Sequence, residues 1–312
     1  MQRNECAQSL RLGLAMIENQ IINKAIDFIF SHIDEQLSVD SIAGFCGYSK
    51  FYLSRLFKAE TGESIYGFIK RTKIEQSAWR LKVEQGRSIT EISGEYGYSA
   101  SNYATLFRDY FEKTPAEFRR KIVEESVAHP FYHGVENKLE SFEECCEKIS
   151  VEYLPDYFVL YERRKGNYHN LEDDWCEFME HYKDFVTPKT IFIERTINDP
   201  AITNPDECLY EVCMTVDKND KRLEVQKTAA AGITSKAGTL TVPNTMILEG
   251  GKFAVYHYKG YPQMIYGAIQ SFFCSWLTQT GNKVDNRSGF DIYRKMDDET
   301  LYMELDICIP IV

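Results

Sequence analysis

The chain has 312 residues, 44% hydrophobic and 27% charged, with nine cysteines and a formal net charge of −11. The length allows two domains with separate cores, and the composition is that of an ordinary soluble globular protein. No apolar run approaches the roughly 18 residues of a membrane helix. The cysteines are odd in number and contain no Cys-x-x-Cys pair, which favours reduced thiols in a cytoplasmic protein over a disulfide or metal framework.

The charge is spread unevenly. Residues 1–121 carry 17 Lys/Arg against 15 Asp/Glu, and residues 122–312 carry 19 against 32. A slightly basic first part joined to a strongly acidic second part predicts two domains with different partners. The opening MQRNECAQSLRLGLAMIENQ lacks the basic, apolar and cleavage regions of a signal peptide, so residues 1–21 read as an N-terminal extension.

Residues 22–121 contain a repeat with a period of 50. DSIAGFCGYS (40–49) overlies TEISGEYGYS (90–99), Leu56-Phe57 overlies Leu106-Phe107, and Phe68 overlies Phe118. One supersecondary unit is therefore used twice. In each copy two short helices flank a tight turn. Ser38 caps the first helix of one copy, and Ser88-Ile-Thr-Glu91 has the form of a capping box in the other. Gly47 and Gly97 stop these helices in a left-handed conformation. Ser49 and Ser99 cap the next pair, whose buried stripes are Leu53, Leu56, Phe57 and Tyr103, Leu106, Phe107. Ile74, Ala78 and Leu81, at i, i+4 and i+7, predict a single helix over 67–84 that links the copies.

The repeat keeps the residues that set the angle between helices and varies the opposite face. That face carries Lys50, Phe51, Ser54, Arg55 and Lys58 in the first copy, and Ala100, Ser101, Asn102, Thr105 and Arg108 in the second. A helix-turn-helix offers this face to the major groove. An Arg at 55 suits guanine O6 and N7, Phe51 a thymine methyl, and Asn102 adenine N6 and N7. Lys50, Lys58, Arg108 and the group Lys70, Arg71, Lys73 suit phosphates, which set affinity rather than sequence. Ser49 and Ser99 join the candidate DNA-binding residues at the helix starts.

LSVDSIAGFCGYSKFYLSRLFKAETGESIYGFIKRTKIEQSAWRL and SITEISGEYGYSASNYATLFRDYFEKTPAEFRR resemble the AraC/XylS family of transcription regulators. The resemblance implies that both recognition helices enter successive major-groove faces of one asymmetric site. By family position it assigns base readout in the first helix to Phe51, Ser54 and Arg55. The second helix is one residue shorter than the family's usual spacing and has Thr105 where Arg is common. The resemblance therefore concentrates sequence reading in the first helix.

Residues 122–149 are acidic and read as a linker with a short helix near 139–148. From 150 onward the pattern is α+β. FVLYERRKGNY (158–168) precedes a helix over 171–182, and FAVYHYKGY (253–261) precedes one over 264–277. Further strands are expected at 209–216, 223–233, 290–293 and 301–309, which makes a β-α-β-β unit used twice. Aromatic residues crowd these segments: Tyr161, Tyr168, Trp175, Tyr256, Tyr258, Trp276, Tyr293 and Tyr302. Glu304 and Asp306, two apart in the last strand, share a sheet face. An aromatic, acidic cavity suits an apolar cation. The candidate ligand-binding residues are thus Tyr161, Tyr168, Trp175, Tyr256, Tyr258, Trp276, Tyr293, Glu304 and Asp306. The six histidines form no triad-like or His-x-x-x-His cluster along the chain, and no glycine loop cradles phosphate.

VLYERRKGNY, LEGGKFAVYHYKGYPQM, SFFCSWL, FDIYRKM and LDICIPI resemble the GyrI-like effector domains of multidrug-sensing regulators. Many relatives carry a Glu four residues before the last Pro, facing the ligand; here that position is Asp306. The expectation is a multidomain protein, an all-α tandem helix-turn-helix domain (22–121) followed by a linker (122–149) and an α+β domain with pseudo-repeated β-α-β-β units (150–312). Its expected role is a cytoplasmic, non-enzymatic transcription regulator with no cofactor or metal. Its expected partners are double-stranded DNA, a small-molecule effector and RNA polymerase, with no membrane. The alternative is a C-terminal domain that is a small-molecule hydrolase or a protein-interaction module.

Overall fold

The computed structural model describes residues 15–134, 138–223, 243–297 and 299–312. Most of the strand expected over 223–233 lies outside these residues. Among those described, no helix is long and apolar enough to cross a membrane.

A short strand, β1 (Ala15–Met16), precedes α1 (Gln20–Ser31), which starts at the Asn19 cap. The first repeat follows as α2 (Val39–Cys46) and α3 (Lys50–Thr61). Helix α4 (Ile65–Val83) links it to the second, α5 (Ile89–Glu95) and α6 (Ala100–Phe111), and α7 (Pro115–Val127) closes the domain. Ser38 and Ser88 both form capping boxes, the first with Ser41 and the second with Glu91. Gly47 and Gly97 have φ of 80° and 78°, the left-handed geometry that glycine adopts without a Cβ clash. One core unites the two copies. Ile22, Ile26, Ile42, Leu53, Phe57, Ala78, Leu81, Ile92, Tyr103, Phe107 and Ile122 are all fully buried in it. Helix α7 continues beyond residue 121 to Val127, and Ile122 lies in the helical core.

The expected helix of the linker is α8 (Phe142–Lys148), capped by Ser141 and Glu144, and its Cys145 is buried in the second domain's core. This segment therefore packs as part of the second domain. Strand β2 (Ile149–Leu154) leads into the first unit: β3 (Tyr157–Lys165), α9 (Leu171–Tyr182), β4 (Phe192–Thr196) and β5 (Leu209–Thr215). Strand β6 (Asn244–Leu248) leads into the second: β7 (Gly251–Gly260), α10 (Pro262–Ser271), β8 (Phe290–Met296) and β9 (Met303–Pro310). The helix expected over 264–277 is α10 followed by a wider π-helical segment, Phe272–Leu277.

The strands form one antiparallel sheet in the order β1-β3-β5-β4-β8-β9-β7-β2, with β6 also on β3. The halves β3-β5-β4 and β7-β9-β8 are pseudo-equivalent and meet where β4 pairs β8. The lead-in strands exchange partners. β2 runs straight into β3 yet pairs β7, and β6 runs into β7 yet pairs β3. This exchange ties the two units together. Helices α9 and α10 cover one face, packing on Leu160, Val212 and Met214 in one half and on Ala254, Tyr256 and Ile307 in the other. The opposite face carries Val159, Tyr161, Cys213, Phe253, Val255 and Cys308.

Candidate DNA interface and effector site

The burial pattern of the first repeat recurs fifty residues later. Leu53 and Phe57 are buried, as are Tyr103 and Phe107; Leu56 and Leu106 are half-buried. On the other side Lys50, Phe51, Arg55 and Lys58 are exposed, and so are Ser101, Asn102, Thr105 and Arg108, while Ser54 is half-buried. Phe51 is 79% exposed. Ser49 and Ser99 accept from the Tyr52 and Asn102 amides, so both hydroxyls cap their helices. Lys50 lies 3.3 Å from Asp40, an exposed pair of little worth to stability.

The basic group on α4 divides. Lys70 is exposed. Arg71 pairs with Glu63 and Glu75. Lys73 is buried and donates to the Glu35 carbonyl at 2.7 Å and the Tyr96 carbonyl at 3.2 Å. Arg71 and Lys73 therefore hold the helices together, and the phosphate role expected for them is corrected to a structural one.

The nine candidate ligand residues do not line one cavity. Tyr256, Tyr258 and Trp276 belong to the core under α10; the Tyr256 hydroxyl donates to Glu140 at 2.8 Å, and that of Tyr258 to the Tyr261 carbonyl at 2.7 Å. Tyr168 donates to the Asn198 carbonyl at 2.7 Å. Tyr161 and Asp306 lie on the face away from α9 and α10. Asp306 holds His257 at 2.7 Å and Arg294 at 2.6 Å, and Glu304 holds Lys259 at 3.3 Å. Both acids share a face as expected, but each is already paired.

Trp175 and Tyr293 do come together, over a pair of acids that the sequence reading missed. Their rings meet edge to face at 5.4 Å. Both donate to Glu194 Oε2, Tyr293 at 2.7 Å and Trp175 at 3.4 Å. The β4–β8 register sets Glu194 opposite Asp291, and both are buried. No described Lys or Arg pairs with either acid. Burial pushes Glu194 up to about 7, and burial followed by the Glu194 charge pushes Asp291 well above the usual carboxylate range. The available signal was a lone acid inside each apolar strand, FIERT and FDIYRKM.

A family profile described as a helix-turn-helix domain matches residues 42–121, and one described as a GyrI-like small molecule binding domain matches residues 147–312, over half of the chain. The chain belongs to the AraC/XylS regulators with a C-terminal GyrI-like domain. The right origin-binding protein of Escherichia coli (strain K12) is 25% identical over 312 aligned positions, covering 93% of this chain and 98% of the relative. The transcriptional regulator Rob of Salmonella typhimurium (strain LT2) is 24% identical over 301, with the same coverage of 93% and 98%. The regulatory protein SoxS of that strain is 33% identical over 108 residues, 34% of this chain and 100% of the relative.

In this AraC/XylS regulator the GyrI-like domain grips the DNA-binding domain through buried charge. Arg163 of β3 is fully buried; it donates to Asn23 Oδ1 of α1 at 2.9 Å, to Asp27 of α1, and through Nε to Glu211 at 2.8 Å. Lys82 of α4 meets Asp199 at 2.6 Å with both side chains buried. Arg80 donates to the Val284 carbonyl at 2.7 Å, and Trp79 meets Phe273 edge to face at 5.5 Å. Residues before α1 take part too: β1 pairs with Arg164 and Lys165 of β3. A cavity of about 200 Å³ remains at the junction, lined by Ile33, Asp34, Glu95, Tyr96 and Asn286.

Proposed function

We propose that the chain is a sequence-specific DNA-binding transcription regulator whose GyrI-like domain senses an apolar organic cation. The effector acts by binding, without turnover, and the regulated complex contacts RNA polymerase in the cytoplasm. The observation that carries the effector reading is the Glu194–Asp291 pair. Two buried carboxylates without a described counter-cation, under Trp175 and Tyr293, form a site that a cation would neutralise out of water. The relay to DNA runs through Arg163, Lys82 and Arg80, because Arg163 binds α1 from the sensor side and Lys82 and Arg80 bind the sensor from α4. An effector shifts DNA occupancy only if it binds two arrangements of this interface with different affinity.

The test is selection of bound DNA from a random pool by the full chain, with and without a lipophilic quaternary ammonium. A recovered consensus supports the DNA reading. A change in occupancy of that consensus, lost in Glu194→Gln, supports the effector reading. An unchanged occupancy with no binding of the ammonium by calorimetry would sink it.

A further inference from the structure

A second group of side chains, on the face away from α9 and α10, is absorbed by neither the DNA interface nor the Glu194–Asp291 site. Three adjacent strands, β2, β7 and β9, bring together a hydroxyl, an imidazole and a carboxylate. Ser150 Oγ stands 2.9 Å from His257 Nε2, and His257 Nδ1 stands 2.7 Å from Asp306 Oδ1. The register sets His257 directly opposite Asp306 on β9, and sets Ser150 opposite Val255, two residues along β7. Asp306 is itself held, because Arg294 Nε donates to its other oxygen at 2.6 Å. Ser150 is half-buried and His257 exposed, so a reactant can reach both.

This is the order of groups that nucleophilic acyl transfer needs. Asp306 keeps the Nδ1 proton of His257 in place, which leaves the Nε2 lone pair facing the hydroxyl. We propose that Ser150, His257 and Asp306 hydrolyse small carboxylic esters, neutral or with a cationic alcohol, independently of DNA and effector binding. Ser150 Oγ adds to the ester carbonyl carbon as its proton passes to His257 Nε2. The bond to the alcohol oxygen breaks, and the alcohol leaves with that proton. Water then adds to the acyl-serine and gives a proton to His257, which returns it to Ser150 as the carboxylic acid departs. For the oxyanion, β2 is the last strand on its side of the sheet among the described residues. Alternate backbone N–H groups along an edge strand face outward, and such donors stabilise developing negative charge.

Glu152 sets the substrate's charge. Its Oε1 lies 2.6 Å from Ser150 Oγ and 3.4 Å from His257 Nε2. The hydroxyl has one proton, so Glu152 competes with His257 for it. A substrate whose positive group pairs with Glu152 frees the hydroxyl for His257, whereas an anionic substrate is repelled.

The test follows hydrolysis of acetylcholine and of its neutral isostere 3,3-dimethylbutyl acetate by the full chain. Wild type is expected to turn over the cationic ester faster, by about 10²-fold or more than Ser150→Ala, and acid quenching should leave an acetyl group on Ser150. Asp306→Asn is expected to lower kcat with KM unchanged, and Asp306→Glu to restore part of it, which a purely structural role would not produce. Glu152→Gln is expected to erase the preference for the cationic ester. Ser150→Ala should melt as wild type does, which keeps the comparison valid if Asp306→Asn is unstable. Equal turnover in wild type and Ser150→Ala, or acetyl label on the exposed Cys146 instead of Ser150, would overturn the proposal.

Discussion

The Tyr293 hydroxyl donates to Glu194 Oε2 at 2.7 Å across the seam where the two halves of the sheet meet. That bond favours the ionised form of Glu194, yet burial outweighs it and raises the group from 4.5 to about 7. The folded state thus holds a proton that the unfolded chain gives up. The associated stability is fully present below about pH 4.5 and is lost as pH rises to about 7, a change of about 3 kcal/mol. Urea unfolding from pH 5 to 8 should show this decline, and Glu194→Gln should remove the Glu194 part of it while the part due to buried Asp291 remains. Tyr293→Phe removes a bond that favours the carboxylate, so the decline should shift to higher pH. Cation affinity should move in the opposite direction and rise through the same range.

Arg163→Met tests the joint between the domains. It would leave Glu211, fully buried, with Arg195 alone. That contact is 2.8 Å long but lacks hydrogen-bond alignment, so Arg195 is a poor substitute. Removing one partner of a buried pair costs about 3–5 kcal/mol, and urea unfolding should register a loss of that size. Because α1 would be released from β3, limited proteolysis should cut faster near residues 15–20. A variant as stable as wild type would show that Arg163 does not hold the joint.

The caps and the two left-handed glycines were legible in the sequence because each is a local signal confined to one turn, and the repeat because the same short segments recur 50 residues apart. The α4 charges were not. Lys73 and Lys82 look like solvent-facing residues on a helix, but their partners lie 23 to 188 residues away. The exchange of β2 and β6 was equally hidden, since a short strand carries no mark of which neighbour it will pair. Tyr256 and Trp175 are alike as aromatic residues in matched units, yet one is core and the other meets Glu194. Side-chain face within a sheet depends on register, and the aromatic count alone does not supply it. Ser150, His257 and Asp306 are separated by 107 and 49 residues, so no spacing pattern could have joined them.

Arg55 and Lys50 separate base reading from phosphate binding. Arg55 is exposed on α3, and Lys50 lies at its first turn beside Asp40. Arg55→Ala should cost about 1–3 kcal/mol on the selected site and relax selectivity at one base pair. Lys50→Ala should weaken all sequences alike and lower the salt slope by about one. Electrophoretic mobility shifts at several salt concentrations, on the selected site and on single-base variants, distinguish the two. Unchanged binding by Arg55→Ala at fixed salt would mean that α3 docks in another orientation.

Phe51 and Leu53 lie two residues apart on α3 and face opposite ways. Leu53 is fully buried in the helical core, whereas Phe51 is 79% exposed. Leu53→Ala should therefore cost about 2–5 kcal/mol of stability, and any loss of DNA binding should track the unfolded fraction. Phe51→Ala removes nothing from the core, so its stability should stay within about 0.5 kcal/mol of wild type. If the ring packs on a thymine methyl, affinity for the selected site should fall and discrimination at one base pair should narrow, with little change on unrelated sequences. Thermal melting paired with binding isotherms checks both variants. Equal affinity of Phe51→Ala and wild type for the selected site would leave the exposed ring without a role in reading DNA.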